Sequence, residues 1–558
     1  MSLYLKLRSN ITLEGDLQLA LREVNFLFRD VTPIRNNELS LIPNYVPNTQ
    51  KTSYTRKGDI IGYIVDSPTF LPEKLPILLS FIQEIWTPLN YFTDCLYSVA
   101  CENAACTIPL MAMSEYLSYA TTIDDNTIKD IAYTLAGVIS EPRRISKCLN
   151  RANTSSPHIH GFHKYKAKFF PRFVRSLIVS NLDLEQESLV ICDPYVGSGT
   201  TLIESSLMGI NSFGYDIDSL SCFISEAKAN AVNITINELG DTLSGFKPLS
   251  NVISYTFPEE IQKKFERWNT LNEMHEYEHE ISNELNLIES ETGFYKIINQ
   301  IALSDALTRK FTIRMMGTGS GRFALEIGKT SLQTLLKGNI KNSIHALAVV
   351  KKLKELYKLK TPTGKVIKGD ATNRDCADNY CDLIITSPPY LPASSGREDY
   401  LVGKMISLKA LGLYHDKEEI MHNSVGSMLS KKDKDLDNLP NSVIQLYNWL
   451  INDELRKIKA APIVAYYNSL RESLLEDKRT IKETGKIIYI IGKESVFYSN
   501  TTKEILYKVE CDQIFQEIAK SIGLKIIDVI NIELDKKSSV ARPRSSDKYY
   551  ETAIIMSK

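Results

Sequence analysis

Continuous apolar runs, the pattern of strands buried on both faces, occur at Ser188-Leu189-Val190-Ile191-Cys192, Cys381-Asp382-Leu383-Ile384-Ile385, Lys486-Ile487-Ile488-Tyr489-Ile490-Ile491-Gly492 and Glu551-Thr552-Ala553-Ile554-Ile555-Met556. After the first run, Gly197-Ser198-Gly199 forms a turn that opens a helix predicted from Thr200 to Met208, and Asn211 to Tyr215 forms a second strand ending at Asp216. Strand, helix and strand in this order are a βαβ unit, whose parallel strands need a covering helix between them. Between about 240 and 360 the period lengthens to that of helices, notably over Tyr295–Arg309 and Lys341–Tyr357, around an acidic stretch from Glu273 to Glu291. Strand patterns resume at Lys365–Asp370. Residues 1–150 mix a strand at Asp59–Val65 with helices at Gly15–Phe28 and Leu75–Trp86.

These patterns predict an α/β chain with one doubly wound sheet built from two separated stretches. Its expected segments are an α+β accessory domain at 1–150, the first part of the sheet domain at 151–239, a mainly helical insertion at 240–360 and the second part at 361–558. The length of 558 residues agrees with several domains. A formal net charge of -1 excludes a general polycation, so contact with nucleic acid must come from local patches. One such patch is Pro142–Leu182, which holds Arg143, Arg144, Lys147, Arg151, Lys164, Lys166, Lys168, Arg172 and Arg175 and no acid; it is read as a phosphate-facing surface. The scattered cysteines form no C-x-x-C pair, which suits reduced thiols rather than a disulfide or zinc scaffold. With no leader-like start and no long apolar run, a cytoplasmic protein is expected.

Chemistry concentrates in two places. In the loop Asp193-Pro194-Tyr195-Val196-Gly197-Ser198-Gly199-Thr200-Thr201, glycine lets a ligand approach the backbone and the following helix directs N–H groups at an anion. A carboxylate on the next strand, Asp216, can accept from both hydroxyls of a ribose, so the unit suits a nucleoside-containing cofactor. Asp218 is expected to cap the next helix. The second place is Thr386-Ser387-Pro388-Pro389-Tyr390, at the carboxyl end of a buried strand. There two prolines stiffen the turn, carbonyls and the Ser387 side chain can accept from an –NH2 group, and Tyr390 can stack on the ring bearing it.

Together the two motifs resemble those of the DNA amino-methyltransferases, which modify cytosine N4 or adenine N6. The resemblance covers roughly 155–235 and 362–558. It implies a Rossmann-like class I methyltransferase sheet, S-adenosylmethionine as donor and double-stranded DNA with a flipped target base as partner. Carried over by position, Asp193, Pro194, Tyr195, Gly197, Ser198, Gly199 and Thr200 would cradle the methionine part. Asp216 would hold the ribose, and Asp370 with Ala371 would meet the adenine. Lys164–Arg172 resembles the family's segment covering the methionine end and would bring Lys168 and Phe169 to the cofactor. Ser387, Pro388, Pro389 and Tyr390 would form the catalytic set. Serine before the prolines resembles N4-cytosine members more than N6-adenine members, so cytosine N4 is favoured, in a restriction-modification or phage-defence setting with a cognate partner. No Pro-Cys dipeptide is present to serve cytosine C5 chemistry. The alternatives are an RNA guanine-N2 methyltransferase and an inactive nucleic-acid-binding relative.

Other features read as bland. Met316–Arg322 lacks the spacing of a phosphate loop, and no strand is expected to lead into it. It suits a loop near DNA, with Arg309, Lys310, Arg314 and Arg322 contacting phosphates or merely forming a solvated face. His158, His160 and His163 suit a surface or DNA-proximal cluster rather than a metal site, and none is expected. His275 and His279 suit an exposed helix. Arg397–Tyr400 and Arg542-Pro543-Arg544 are candidate substrate-loop residues.

Overall fold

The computed structural model describes residues 2–7, 11, 14–35, 38, 60–68, 78–87, 96–99, 158–165, 170–233, 253–291, 293–315, 323–356, 360–391, 403–414, 417–430, 434–499, 501–502, 504–534 and 549–558. Lys168, Phe169, Met316–Arg322, Arg397–Tyr400 and Arg542–Arg544 lie outside them.

The first segment contains β1 (Ser2–Leu7), α1 (Glu14–Leu27), β2 (Phe28–Arg35), β3 (Ile60–Pro68), β4 (Ile82–Thr87) and β5 (Leu96–Val99). Its strands form one sheet in the order β2-β3-β1-β4-β5. The expected helix at Leu75–Trp86 is corrected here: Ile82–Thr87 is a strand, because antiparallel pairing with β1 sets Tyr4 opposite Trp86. Tertiary pairing overrides a local period that reads either way.

The main sheet follows α2 (Pro171–Val179) and is built from β6 (Val190–Asp193), α3 (Thr200–Leu207), β7 (Asn211–Asp216) and α4 (Ser219–Asn230). An insertion comes next: α5 (Glu259–Trp268), α6 (Leu271–Glu289), α7 (Gly293–Lys310), the hairpin β8 (Phe311–Met315) and β9 (Phe323–Ile327), and α8 (Leu332–Leu356). A strand therefore does lead into Met316, contrary to expectation. It turns back into an antiparallel partner rather than into a helix, so the phosphate-loop geometry is still missing.

The second stretch adds β10 (Gly364–Lys368), β11 (Cys381–Thr386), α9 (Met405–Ala410), α10 (Lys417–Asn423), α11 (Asn441–Ile451), α12 (Ala460–Thr480) and β12 (Ile481–Gly492). The small hairpin β13 (Ser495–Tyr498) and β14 (Ile505–Val509), α13 (Cys511–Ser521), β15 (Lys525–Leu534) and β16 (Tyr549–Ser557) complete it.

The seven strands run in the order β10-β7-β6-β11-β12-β16-β15. β10, β7, β6, β11 and β12 are mutually parallel, and β16 is antiparallel to both of its neighbours. From β6 the chain moves outward to β7 and β10, then returns to place β11 and β12 on the other side. The order reverses between β6 and β11, the topological switch point where ligands bind beyond the carboxyl ends of such strands.

Side-chain alternation explains why these strands are apolar throughout. Leu383, Ile385, Ile488 and Ile490 join a core with α1 and α2, while Ile384, Ile487, Tyr489 and Ile491 join one with α11, α12 and α13. Both faces are covered. The first face depends on the N-terminal segment, since Leu19, Val24 and Leu27 of α1 pack into the core that includes Ile191 and Ile530. Arg22 pairs with Asp528 of β15, and Ser176 of α2 donates to the Leu19 carbonyl at 3.2 Å. The insertion in turn packs Phe294, Ile298 and Ile301 of α7 against Ile203 of α3 and Phe223 of α4. No described helix is long and apolar enough to cross a membrane.

Candidate active site

Asp193 ends β6 and Thr386 ends β11, two strands in register at Cys192 and Ile384. Across this seam the Thr386 hydroxyl donates to Asp193 Oδ1 at 2.5 Å. Thr201, at the start of α3, donates to the Ile385 carbonyl at 3.4 Å. Burial pushes the Asp193 carboxyl up to about 6, against hydrogen bonds from Thr386, Thr201 and the Tyr195 N–H. The two motifs are thus joined at the switch point, with Asp193 as their buried tie.

Gly197 adopts φ +51, and a Cβ there would stand in ordinary contact with the Tyr195 carbonyl at 3.7 Å and the Tyr165 ring at 3.8 Å. Its N–H donates to Asp216 Oδ2 at 3.0 Å, and the Asp218 N–H donates to Oδ1 at 2.9 Å. The Asp216 carboxylate is therefore held in place by two backbone N–H groups, one from the glycine loop and one just past its own strand end. Gly199 serves packing instead. It sits at φ +82 as the residue before α3, and a Cβ would stand 2.8 Å from the Ser225 Cβ on α4. Gly199→Ala is expected to destabilise the fold by about 3 kcal/mol and Gly197→Ala by about 1 kcal/mol in urea unfolding, since only the former adds overpacking to the left-handed strain. The reverse order contradicts this division of labour.

Ser198 and Thr200 are buried, their hydroxyls 3.5 Å apart, and Pro194 begins the turn. Tyr195 offers the loop its backbone, while its ring packs with the core that includes Tyr489. Asp218 caps α4 as expected, accepting from the Leu220 N–H at 3.0 Å. Beyond β10, the Gly369 N–H reaches the Asp216 carbonyl at 3.0 Å. Asp370 accepts from the Thr372 N–H and hydroxyl at 3.0 and 2.9 Å, with Ala371 buried beside it. The expected ribose and adenine residues therefore share one sheet edge.

In the other motif, the Pro389 carbonyl is occupied by the Tyr466 hydroxyl of α12 at 3.0 Å, and the Tyr390 hydroxyl donates to Glu551 Oε1 of β16 at 2.7 Å. Pro388 is buried, and among the described residues the Ser387 hydroxyl has no hydrogen-bond partner.

Sequence reasoning missed Lys404, and it reached Tyr165 only as part of the segment Lys164–Arg172. Tyr165 lies 3.8 Å from the Cβ position of Gly197, with its hydroxyl 2.8 Å from Ser221 Oγ. Lys404 Nζ stands 4.3 Å from the Tyr165 ring centroid and pairs with Asp218 at 2.5 Å. Gly214 was also missed; a Cβ there would stand 2.9 Å from the Asp193 carbonyl. Only three-dimensional proximity marks Lys404 and Gly214.

Other expectations are corrected. His160 is fully buried and bonds Glu204 at 2.7 Å, while Arg175 holds the other oxygen of Glu204 at 2.6 Å. His163 bonds Ser304 at 2.9 Å, and burial lowers its pKa to about 4. Neither forms a surface cluster, because both are buried against internal partners. Arg172 and Arg175 of the basic stretch face inward, Arg172 toward Asp16 and the Phe81 ring, so they cannot line a phosphate surface. Lys310 is buried on the Gly328 and Thr330 carbonyls, whereas Arg309, paired with Asp305 at 2.6 Å, keeps a solvated side chain, one of the two expectations for it. His275 is exposed as expected. No metal-holding group occurs among the described residues.

The strand order defines a Rossmann-like α/β fold with the class I arrangement of its sheet. The chain is similar to three type II methyltransferases. M.MjaII of Methanocaldococcus jannaschii is 36% identical over 128 residues, 22% of this chain and 24% of that protein. M.BsoBI of Geobacillus stearothermophilus is 26% identical over 435 residues, 68% of this chain and 81% of that protein. M.MvaI of Kocuria varians is 24% identical over 378 residues, 62% and 79%. The chain thus spans about a quarter of the first relative and about four-fifths of the other two. No protein-family model matches. A solved SAM-dependent methyltransferase from Methanosarcina mazei aligns at 10% identity over 68% of this chain and 96% of that one, with a TM-score of 0.25. The fold assignment rests on the strand order.

Proposed function

We propose that the chain is a DNA methyltransferase that transfers a methyl group from S-adenosylmethionine to the exocyclic amino group of a flipped base, cytosine N4 before adenine N6. The observation that carries this reading is the Thr386–Asp193 hydrogen bond, which ties the donor loop to the acceptor motif at the switch point. Bound S-adenosylmethionine supplies a sulfonium methyl. The left-handed turn at Gly197 and the carboxylate of Asp216, aimed by two N–H groups, fit its methionine and ribose parts, while Asp370 and Ala371 fit its adenine.

An exocyclic amino nitrogen is a weak nucleophile because its lone pair is delocalised into the ring. Ser387 and the Pro388 carbonyl accept hydrogen bonds from its two N–H groups and draw the lone pair out of conjugation, and the one proton released on methylation leaves to solvent. Tyr390 replaces part of the stacking lost on leaving the duplex. Catalysis is mainly positioning in a site without a covalent intermediate. The names of the three relatives support the methyltransferase reading and suit a restriction-modification role. Modification-sensitive sequencing of DNA from a host expressing the chain tests it. A methylated amino base at one recurring sequence is expected, and unmodified DNA with methylated RNA would overturn it.

A further inference from the structure

We propose that Glu551 is a positioning residue for the methyl transfer, acting through Tyr390 by holding the ring axis on which the flipped base stacks. This rests on the function proposed above. Tyr390 is 39% exposed, so an untethered ring there would sample several rotamers. Its position is set at two ends instead. At one end the Tyr466 hydroxyl binds the Pro389 carbonyl at 3.0 Å, clamping the backbone immediately before Tyr390. At the other the Tyr390 hydroxyl donates to Glu551 Oε1 at 2.7 Å.

A tyrosine hydroxyl lies on the ring's long axis, so an acceptor there fixes where the ring points. Glu551 is itself held by the sheet. It lies near the start of β16, opposite Gly492 of β12 and Ile532 of β15, at the same end of the sheet as Ser387. Burial raises the Glu551 carboxyl above its usual range, and the Tyr390 O–H opposes that rise. The ordering of Tyr390 is thereby settled before DNA binds, and the base meets a preset face.

The test uses the full chain and the duplex identified by sequencing. It compares wild type with Tyr390→Phe, Glu551→Ala, Glu551→Gln and the Tyr390→Phe/Glu551→Ala double variant. Single-turnover methyl transfer is measured beside calorimetric binding of S-adenosylmethionine. Tyr390→Phe and Glu551→Ala are each expected to slow transfer about tenfold, the loss typical of a hydrogen bond to a charged group. The double variant should be no slower than either. Glu551→Gln, whose amide oxygen still accepts the tyrosyl O–H, should recover most of the rate, and cofactor affinity should stay constant throughout. Losses that multiply in the double variant, or wild-type speed in Glu551→Ala, overturn the proposal.

If Glu551→Ala fails to fold, Tyr390→Phe decides: slowed transfer supports the tether and wild-type speed overturns it. A wild-type chain that transfers no methyl group to DNA overturns the underlying function and this inference with it. An active wild type with an indifferent Glu551 overturns the inference alone.

Discussion

Ser387→Ala should reduce methyl transfer by about a hundredfold or more while S-adenosylmethionine binds as in wild type, the loss expected when one preorganised polar partner of the reacting group is removed. The residue is placed for this by three features: it follows β11 at the switch point, it precedes a buried proline, and its hydroxyl has no partner among the described residues. Tyr390→Ala should behave alike, through loss of the stacking face rather than of an acceptor. Tritium transfer from labelled cofactor under single-turnover conditions, beside calorimetry, separates chemistry from binding. Wild-type transfer in both variants would remove these residues from the reaction.

The largest effect on stability is expected at Asp477. Its carboxylate pairs with Arg374 at 2.6 Å, both side chains fully excluded from solvent, and accepts from the Tyr489 hydroxyl at 2.6 Å. Arg374 also donates to the Ser473 carbonyl at 3.1 Å. This network anchors the loop after Asp370 to α12 and β12, so it supports the expected adenine pocket. Asp477→Ala leaves a buried guanidinium uncompensated and should cost about 3–5 kcal/mol, whereas replacing both partners by apolar residues should cost less. Urea unfolding of the single and double variants measures both, and a single variant within about 1 kcal/mol of wild type contradicts the assignment.

The sheet was legible because its central strands are buried on both faces. That burial forces unbroken apolar runs such as Ile487–Ile491, and the glycine loop and Ser387–Tyr390 follow two of these runs directly. What was not legible depends on distant pairing. Ile82–Thr87 becomes a strand because β1 lies beside it. β15, which pairs with β16 at the sheet edge, carried no signal strong enough to be recognised beforehand. His160 and Lys310 look like surface residues until Glu204 and the Gly328 carbonyl are brought to them. Glu551, Tyr466 and Lys404 lie 161, 77 and 239 residues from the partners they hold, Tyr390, Pro389 and Tyr165, and no local motif records such contacts.

Incubating the purified chain with duplex DNA and methyl-tritiated S-adenosylmethionine, then resolving the digested nucleosides, tests the juxtaposition of donor loop and acceptor motif most directly. The account predicts label in N4-methylcytosine, or else in N6-methyladenine, and its loss in Ser387→Ala. Label in C5-methylcytosine, or none in DNA, would contradict it.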